Sequence, residues 1–105
     1  MVDTSKNMLT LEVVTHFPLA PDLIAANDEL LKKYPGDYQS IFIFYFDDKK
    51  YADNFFNIYG KPNPTDQETK ELSHNIAMYY HDKDPNGKYC LTKRANVGWN
   101  ILKCY

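Results

Sequence analysis

Tyr38-Gln-Ser-Ile-Phe-Ile-Phe-Tyr-Phe46 is the most hydrophobic stretch of the chain, and its two alternate sets of side chains are both apolar. One set is Ile41, Ile43 and Tyr45; the other is Phe42, Phe44 and Phe46. A strand with one wet face alternates apolar and polar residues, whereas a strand covered on both faces reads as a continuous apolar run. Residues 38–46 are therefore predicted to be a central strand between two layers.

Working outward, Asp47 and Asp48 follow at once and suit the start of a helix, where carboxylates accept free backbone N–H groups and favour the positive end. Tyr51, Ala52, Phe55, Phe56 and Tyr59 then recur at helical spacing, and Gly60 stands where a helix ends in the left-handed conformation. Upstream, Met8 to Thr15 alternates with period two and reads as a strand. Pro21 opens a helix whose apolar stripe is Leu23, Ala26, Leu30, Leu31 and Tyr34, with Asn27 and Asp28 beside it; Pro35-Gly36 ends it. Downstream, Thr65-Asp-Gln-Glu68 matches a capping box and predicts a short helix to about Leu72 or Ser73. Ile76, Met78 and Tyr80 fall on one face of a strand from Asn75 to His81. Asp84-Pro-Asn-Gly87 is a turn, and Tyr89 to Lys93 and Trp99 to Tyr105 are two further strands joined around Asn96-Val-Gly98. The expected fold is a single α+β domain over residues 1–105 with a frayed segment at 1–7. Its order is β-α-β-α-(α)-β-β-β, a mostly antiparallel sheet of about five strands with two main helices.

The run from Tyr38 to Phe56 (YxxIFIFYFDDxxYAxNFF), with HxIAMYY from His74 to Tyr80 and a Gly-then-Leu hairpin from Gly87 to Leu91, resembles small uncharacterised bacterial lipoprotein-type domains. The resemblance covers about the last two-thirds of the chain. It implies an extracytoplasmic setting and carries no catalytic residues across, and the lipid-bearing cysteine of such proteins has no counterpart here.

At 105 residues, with 44% hydrophobic and 25% charged residues, the chain has the composition of a folded domain. Nine Tyr, six Phe and one Trp are more rings than so small a core can hide, so several lie half exposed, either covering a sheet or offering contact area to a partner. The net charge of −2 excludes a generally basic nucleic-acid-coating protein. The charge is uneven: Met1 to Asp84 carries eight Lys against fourteen acids, a balance of −6, whereas Pro85 to Tyr105 carries Lys88, Lys93, Arg94 and Lys103 and no acid. No run approaches the roughly 18 to 20 apolar residues that span a bilayer. Residues 2–7 are polar and unlike a secretory leader. The expected location is cytoplasmic, or extracytoplasmic after an export signal is removed.

Four constellations could carry chemistry. Asp82, Asp84 and Asn86, followed by Gly87, match the opening of a calcium loop, but the twelfth position is Lys93 where a bidentate Glu belongs, so a plain turn is expected. His16, His74 and His81 have no partner at helical spacing. His74 and His81, seven apart on a strand, would point to opposite faces roughly 20 Å apart, so no metal site is expected. Asp47 and Asp48, at the end of the central strand, cap the next helix or serve a small metal-dependent or hydrolytic enzyme. No nucleophile elbow or glycine-rich phosphate loop accompanies them, so no cofactor is expected. Cys90 and Cys104 lie equally far from Val97 across the last hairpin, a spacing that suits either a disulfide or two buried thiols.

The hairpin itself is the most suggestive surface, with Lys88, Lys93, Arg94 and Lys103 interleaved with Tyr89, Trp99 and Tyr105. Three of the four cations are Lys, which lacks the bidentate geometry of Arg, so a protein partner is favoured over nucleic acid. The expectation is a non-enzymatic interaction or inhibitor-like module that uses these seven residues.

Overall fold

A strand with two apolar faces needs cover above and below, and the computed structural model supplies it. Residues 2–3, 8–16, 19–34, 40–82 and 87–105 are described, with 2–3 as backbone only. The elements run β1 (Val2–Asp3), β2 (Met8–Val14), α1 (Ala20–Lys33), β3 (Ser40–Phe46), α2 (Lys49–Ile58), α3 (Asp66–Leu72), β4 (Asn75–Asp82), β5 (Cys90–Arg94) and β6 (Trp99–Cys104). This is the expected α+β order, with the two-residue β1 added. Residues 1–7 were expected to fray, yet Val2 and Asp3 pair antiparallel with Leu11 and Thr10. Pro18, the Pro35-Gly36 stop, residues 38–39 and the turn residues Asp84 to Asn86 lie outside the described residues.

The strands form one sheet in chain order, β1 to β6. Only β2 and β3 pair in parallel; every other neighbouring pair is antiparallel. A parallel pair needs a crossover, which α1 provides. On the α1 side of the sheet, Ile41, Ile43 and Tyr45 of β3 meet Leu9, Leu11, Ala77, Tyr79 and Leu91 from other strands, together with Leu23 of α1. On the other side, Phe44 and Phe46 meet Ala52 and Phe55 of α2, with Phe42, Leu72 and Met78 packed against them. Each face of β3 thus belongs to a different core.

The helix ends follow local rules. The Asp48 carboxylate accepts from Lys50 N at the start of α2, and Gly60 follows the helix at φ +87°. Thr65 and Glu68 form a reciprocal capping box at α3. In α1 the stripe is as expected, except that Asn27 is fully buried within it and accepts a hydrogen bond from Tyr45 Oη at 2.8 Å.

Two register shifts change which face a residue meets. Between β3 and β4, Tyr45 opposes Ala77 and Phe46 opposes Asn75, so Ile76 is an extra residue. Such a bulge breaks the period of two. Ile76 therefore leaves the expected set with Met78 and Tyr80: it packs in the α1-side core, whereas Met78 packs on the α2 side. The Asn75 side chain bridges this irregularity, donating to the carbonyls of Tyr45 and Ala77 at 3.0 and 3.1 Å. Between β5 and β6, Leu91 opposes Lys103 and Thr92 opposes Ile101, which makes Leu102 the extra residue. Among the described residues, no helix is long and apolar enough to cross a membrane.

Candidate interaction surface

Alternation along β5 sets Arg94 on the opposite face from Tyr89 and Lys93, and the bulge at Leu102 then separates Lys103 and Tyr105 from Trp99. Along a regular strand Trp99, Lys103 and Tyr105 would share a face. After the extra residue, Lys103 and Tyr105 instead point to the α1 side. There the Asp28 carboxylate accepts from Lys103 Nζ at 2.9 Å and from Tyr105 Oη at 2.6 Å. The Tyr105 hydrogen bond, then that of Lys103, holds the Asp28 carboxyl below its usual range. Partial burial, reinforced by that acceptor, pushes the Tyr105 phenol up to about 12. Tyr89 packs against the same core and donates to Asp82. Lys93 opposes Ala77 on this side and Lys88 is exposed. Four of the seven residues thus fasten or flank the α1 layer and do not form one surface with Trp99.

Arg94 and Trp99 project on the other side. The guanidinium lies 4.5 Å from the Trp99 ring centroid. Its Nε donates to Asn75 O at 2.9 Å and Nη2 to Leu72 O at 3.3 Å, the latter at the end of α3, where a cation suits exposed carbonyls. Partial burial lowers the Arg94 pKa. No described carboxylate forms an ion pair with it.

Around this stack lies an apolar field. α2 covers the sheet face only near β2 and β3. Tyr80 is 42% exposed, Ile101 67%, Trp99 38%, Phe56 44% and Tyr59 54%. Ring contacts make most of the field continuous: Tyr80 lies 4.5 Å from Phe42, Phe42 is stacked on Phe44 at 6.1 Å, and Phe44 meets Phe56 and Tyr59 at 5.3 and 6.1 Å. Ile101 joins it through its register partner Thr92, which opposes Met78. A cleft of about 230 Å³ opens among Phe55, Tyr59, Leu72, Asn75, Met78, Arg94 and Trp99. Tyr59, Tyr80 and Ile101 were not among the expected site residues. Their signal was the apolar run of Phe42, Phe44 and Phe46 continuing into Met78 and Tyr80, a longer apolar face than the ten-residue α2 spans.

The other expected constellations are resolved differently. Cys90 and Cys104 are directly opposed with Cα atoms 4.0 Å apart and are joined as a disulfide. Asp47 and Asp48 do not act together. Only Asp48 caps α2, whereas Asp47 Oδ1 meets His74 Nδ1 at 2.8 Å, and the His74 ring stacks on Tyr51 at 3.7 Å. His74 lies in the turn before β4 and not on the strand, and its ring contacts the start of α2. His81 meets Tyr79 Oη at 3.2 Å. Asp82 of the calcium-like turn accepts from tyrosine hydroxyls. Among the described residues no three His, Cys, Asp or Glu side chains converge. A second cleft of about 360 Å³ lies between β2 and α2 at Glu12, Val14, Lys49, Ala52 and Asp53. Burial raises the Glu12 pKa there, and Lys49 is tied to Asp53 at 2.7 Å. Neither Asp47 nor His74 lines either cleft. No family model, curated protein or solved structure matches the chain.

Proposed function

We propose that the protein is a non-enzymatic interaction module that docks a protein partner on the α2 side of its C-terminal hairpin. The observation that carries this reading is the joined apolar field of Tyr80, Ile101, Trp99, Phe56 and Tyr59 around a guanidinium with no described carboxylate partner. Aromatic side chains beside Arg are the composition of interface anchors, and an exposed apolar patch of this kind marks an interaction site. The partner brings acidic groups, since residues 85–105 hold no acid and Asp28 neutralises only Lys103. The disulfide supports work in an oxidising compartment, in line with the extracytoplasmic setting that the lipoprotein-type resemblance implies.

The test compares partner capture by the wild type, by Ile101→Asp on the proposed face and by Lys33→Glu on the α1 layer. A partner lost with Ile101→Asp and kept with Lys33→Glu supports the surface. Equal capture by all three refutes it. A concentration-dependent dimer that Ile101→Asp turns into monomer would assign the face to a second copy and overturn the separate partner.

A further inference from the structure

The cleft at the centre of this surface has a composition that selects its occupant. Its walls are Phe55, Tyr59, Leu72, Met78 and Trp99, and Arg94 is its cation. At about 230 Å³ it falls below the roughly 300–1,000 Å³ of small-molecule and cofactor sites, and has room for one large apolar side chain. Of the five N–H donors of a guanidinium, Arg94 uses two on the carbonyls of Asn75 and Leu72. These two bonds and the stack on Trp99 fix the plane of the group before any partner arrives, so little side-chain entropy remains to be lost on binding. The other donors suit a carboxylate, which the fork geometry of arginine recognises better than a lysine does. The Asn75 side-chain nitrogen is already spent on the carbonyls of Tyr45 and Ala77, so it does not compete with Arg94 for an incoming carboxylate.

Resting on the proposed interaction function, we infer that this cleft is its anchor pocket and takes an apolar side chain carried next to a carboxylate on an acidic peptide segment of the partner. The pocket recognises the two groups together: an apolar side chain seated against its walls would exclude water from beside the guanidinium, which strengthens its hydrogen bonds to the adjoining carboxylate. A fully solvated arginine would discriminate less.

The pair can be imitated with 3-phenylpropionate, whose ring stands for the side chain and whose carboxylate stands for the acid; 3-phenylpropionamide is the uncharged control. Both are titrated into the full chain and followed by the Trp99 indole N–H and the Met78 methyl resonances. The expected result is millimolar binding of the acid and about tenfold weaker binding of the amide, the factor that one hydrogen bond to a charged group supplies. Equal binding of the two, no binding of either, or shifts confined to residues outside the cleft would overturn the anchor. Because Arg94 also holds two carbonyls, its removal can disturb the fold; the two-probe comparison on the unaltered protein avoids that difficulty. If the probes fail while Ile101→Asp still abolishes capture, the surface stands without this anchor. If Ile101→Asp changes nothing, the surface itself falls.

Discussion

Tyr45 and Asn27 are both fully buried, and one hydrogen bond of 2.8 Å joins them, while the Asn27 amide nitrogen, turned towards Tyr105, makes no hydrogen bond of good geometry among the described residues. Burial drives the Tyr45 phenol far above its ordinary range, so it remains a neutral donor. Tyr45→Phe would leave the buried Asn27 Oδ1 without its donor and is expected to cost roughly 1–3 kcal/mol in urea unfolding. Tyr45→Phe with Asn27→Leu removes both polar groups and should recover most of that loss, a non-additivity that a double-mutant cycle measures directly. The Tyr105 clasp makes a pH prediction. Its folded pKa, about 12, lies above its ordinary 10.0, so its contribution is fully present below pH 10 and disappears as pH rises through 12. Absorbance at the phenolate band should show a late step near 12 that Tyr105→Phe removes. Asp28 runs the other way: its depressed pKa keeps the clasp closed until pH falls below the usual carboxylate range.

At the scale of elements, the caps separate two neighbouring acids. Asp48→Ala is expected to destabilise by about 1 kcal/mol, and Thr65→Ala by a similar amount, as shifts of the urea midpoint. Asp47→Ala should leave the α2 N-terminus intact and show its effect at His74, read from the imidazole resonances. Caps and helices were legible because their causes are local: Thr65 and Glu68 are three residues apart, and Gly60 directly follows Tyr59. The doubly covered β3 was legible for the same reason, since both faces are written in consecutive residues. Lys93 and Arg94, being adjacent on β5, had to face opposite sides, but the separation of Trp99 from Lys103 and Tyr105 was not legible. The bulges at Ile76 and Leu102 arise from pairing between strands, and nothing in Asn-Ile-Leu-Lys marks the extra residue. Each bulge then reverses every later side chain, so one expected surface became a clasp on one face and a stack on the other. Asp47 was named only with Asp48 as a cap or enzyme residue; its pairing with His74 was not legible, because the two lie 27 residues apart. Deleting Leu102 gives an unusual expectation. A regular strand without it keeps Lys103 opposite Leu91 and Cys104 opposite Cys90, so the shortened chain should still form its disulfide, two hydrogens lighter by mass than its reduced form. Failure to oxidise would contradict the register.

At the scale of the whole molecule, the hairpin β5–β6 is fastened to the rest by few backbone pairs. β4 and β5 share two register partners, whereas β3 and β4 share seven. Further attachment comes from Leu91, Tyr89 and Leu102 in the α1-side core, from Thr92 Oγ1 on the Met78 carbonyl, from Arg94 on the α2 side, and from Lys103 and Tyr105 on Asp28. The Cys90–Cys104 bond closes a loop of sequence separation 14, and replacing both cysteines by serine should cost about 3 kcal/mol. Amide exchange in that variant is expected to accelerate first in β5 and β6, and last in β3.

Strand order in the sheet is identical to order along the chain. During synthesis, which proceeds from the N-terminus, each strand that emerges therefore meets an acceptor edge left by the one before it, and none has to be inserted between two already paired neighbours. β6 is the last of these six strands to join, and oxidation of Cys104 then locks it to β5.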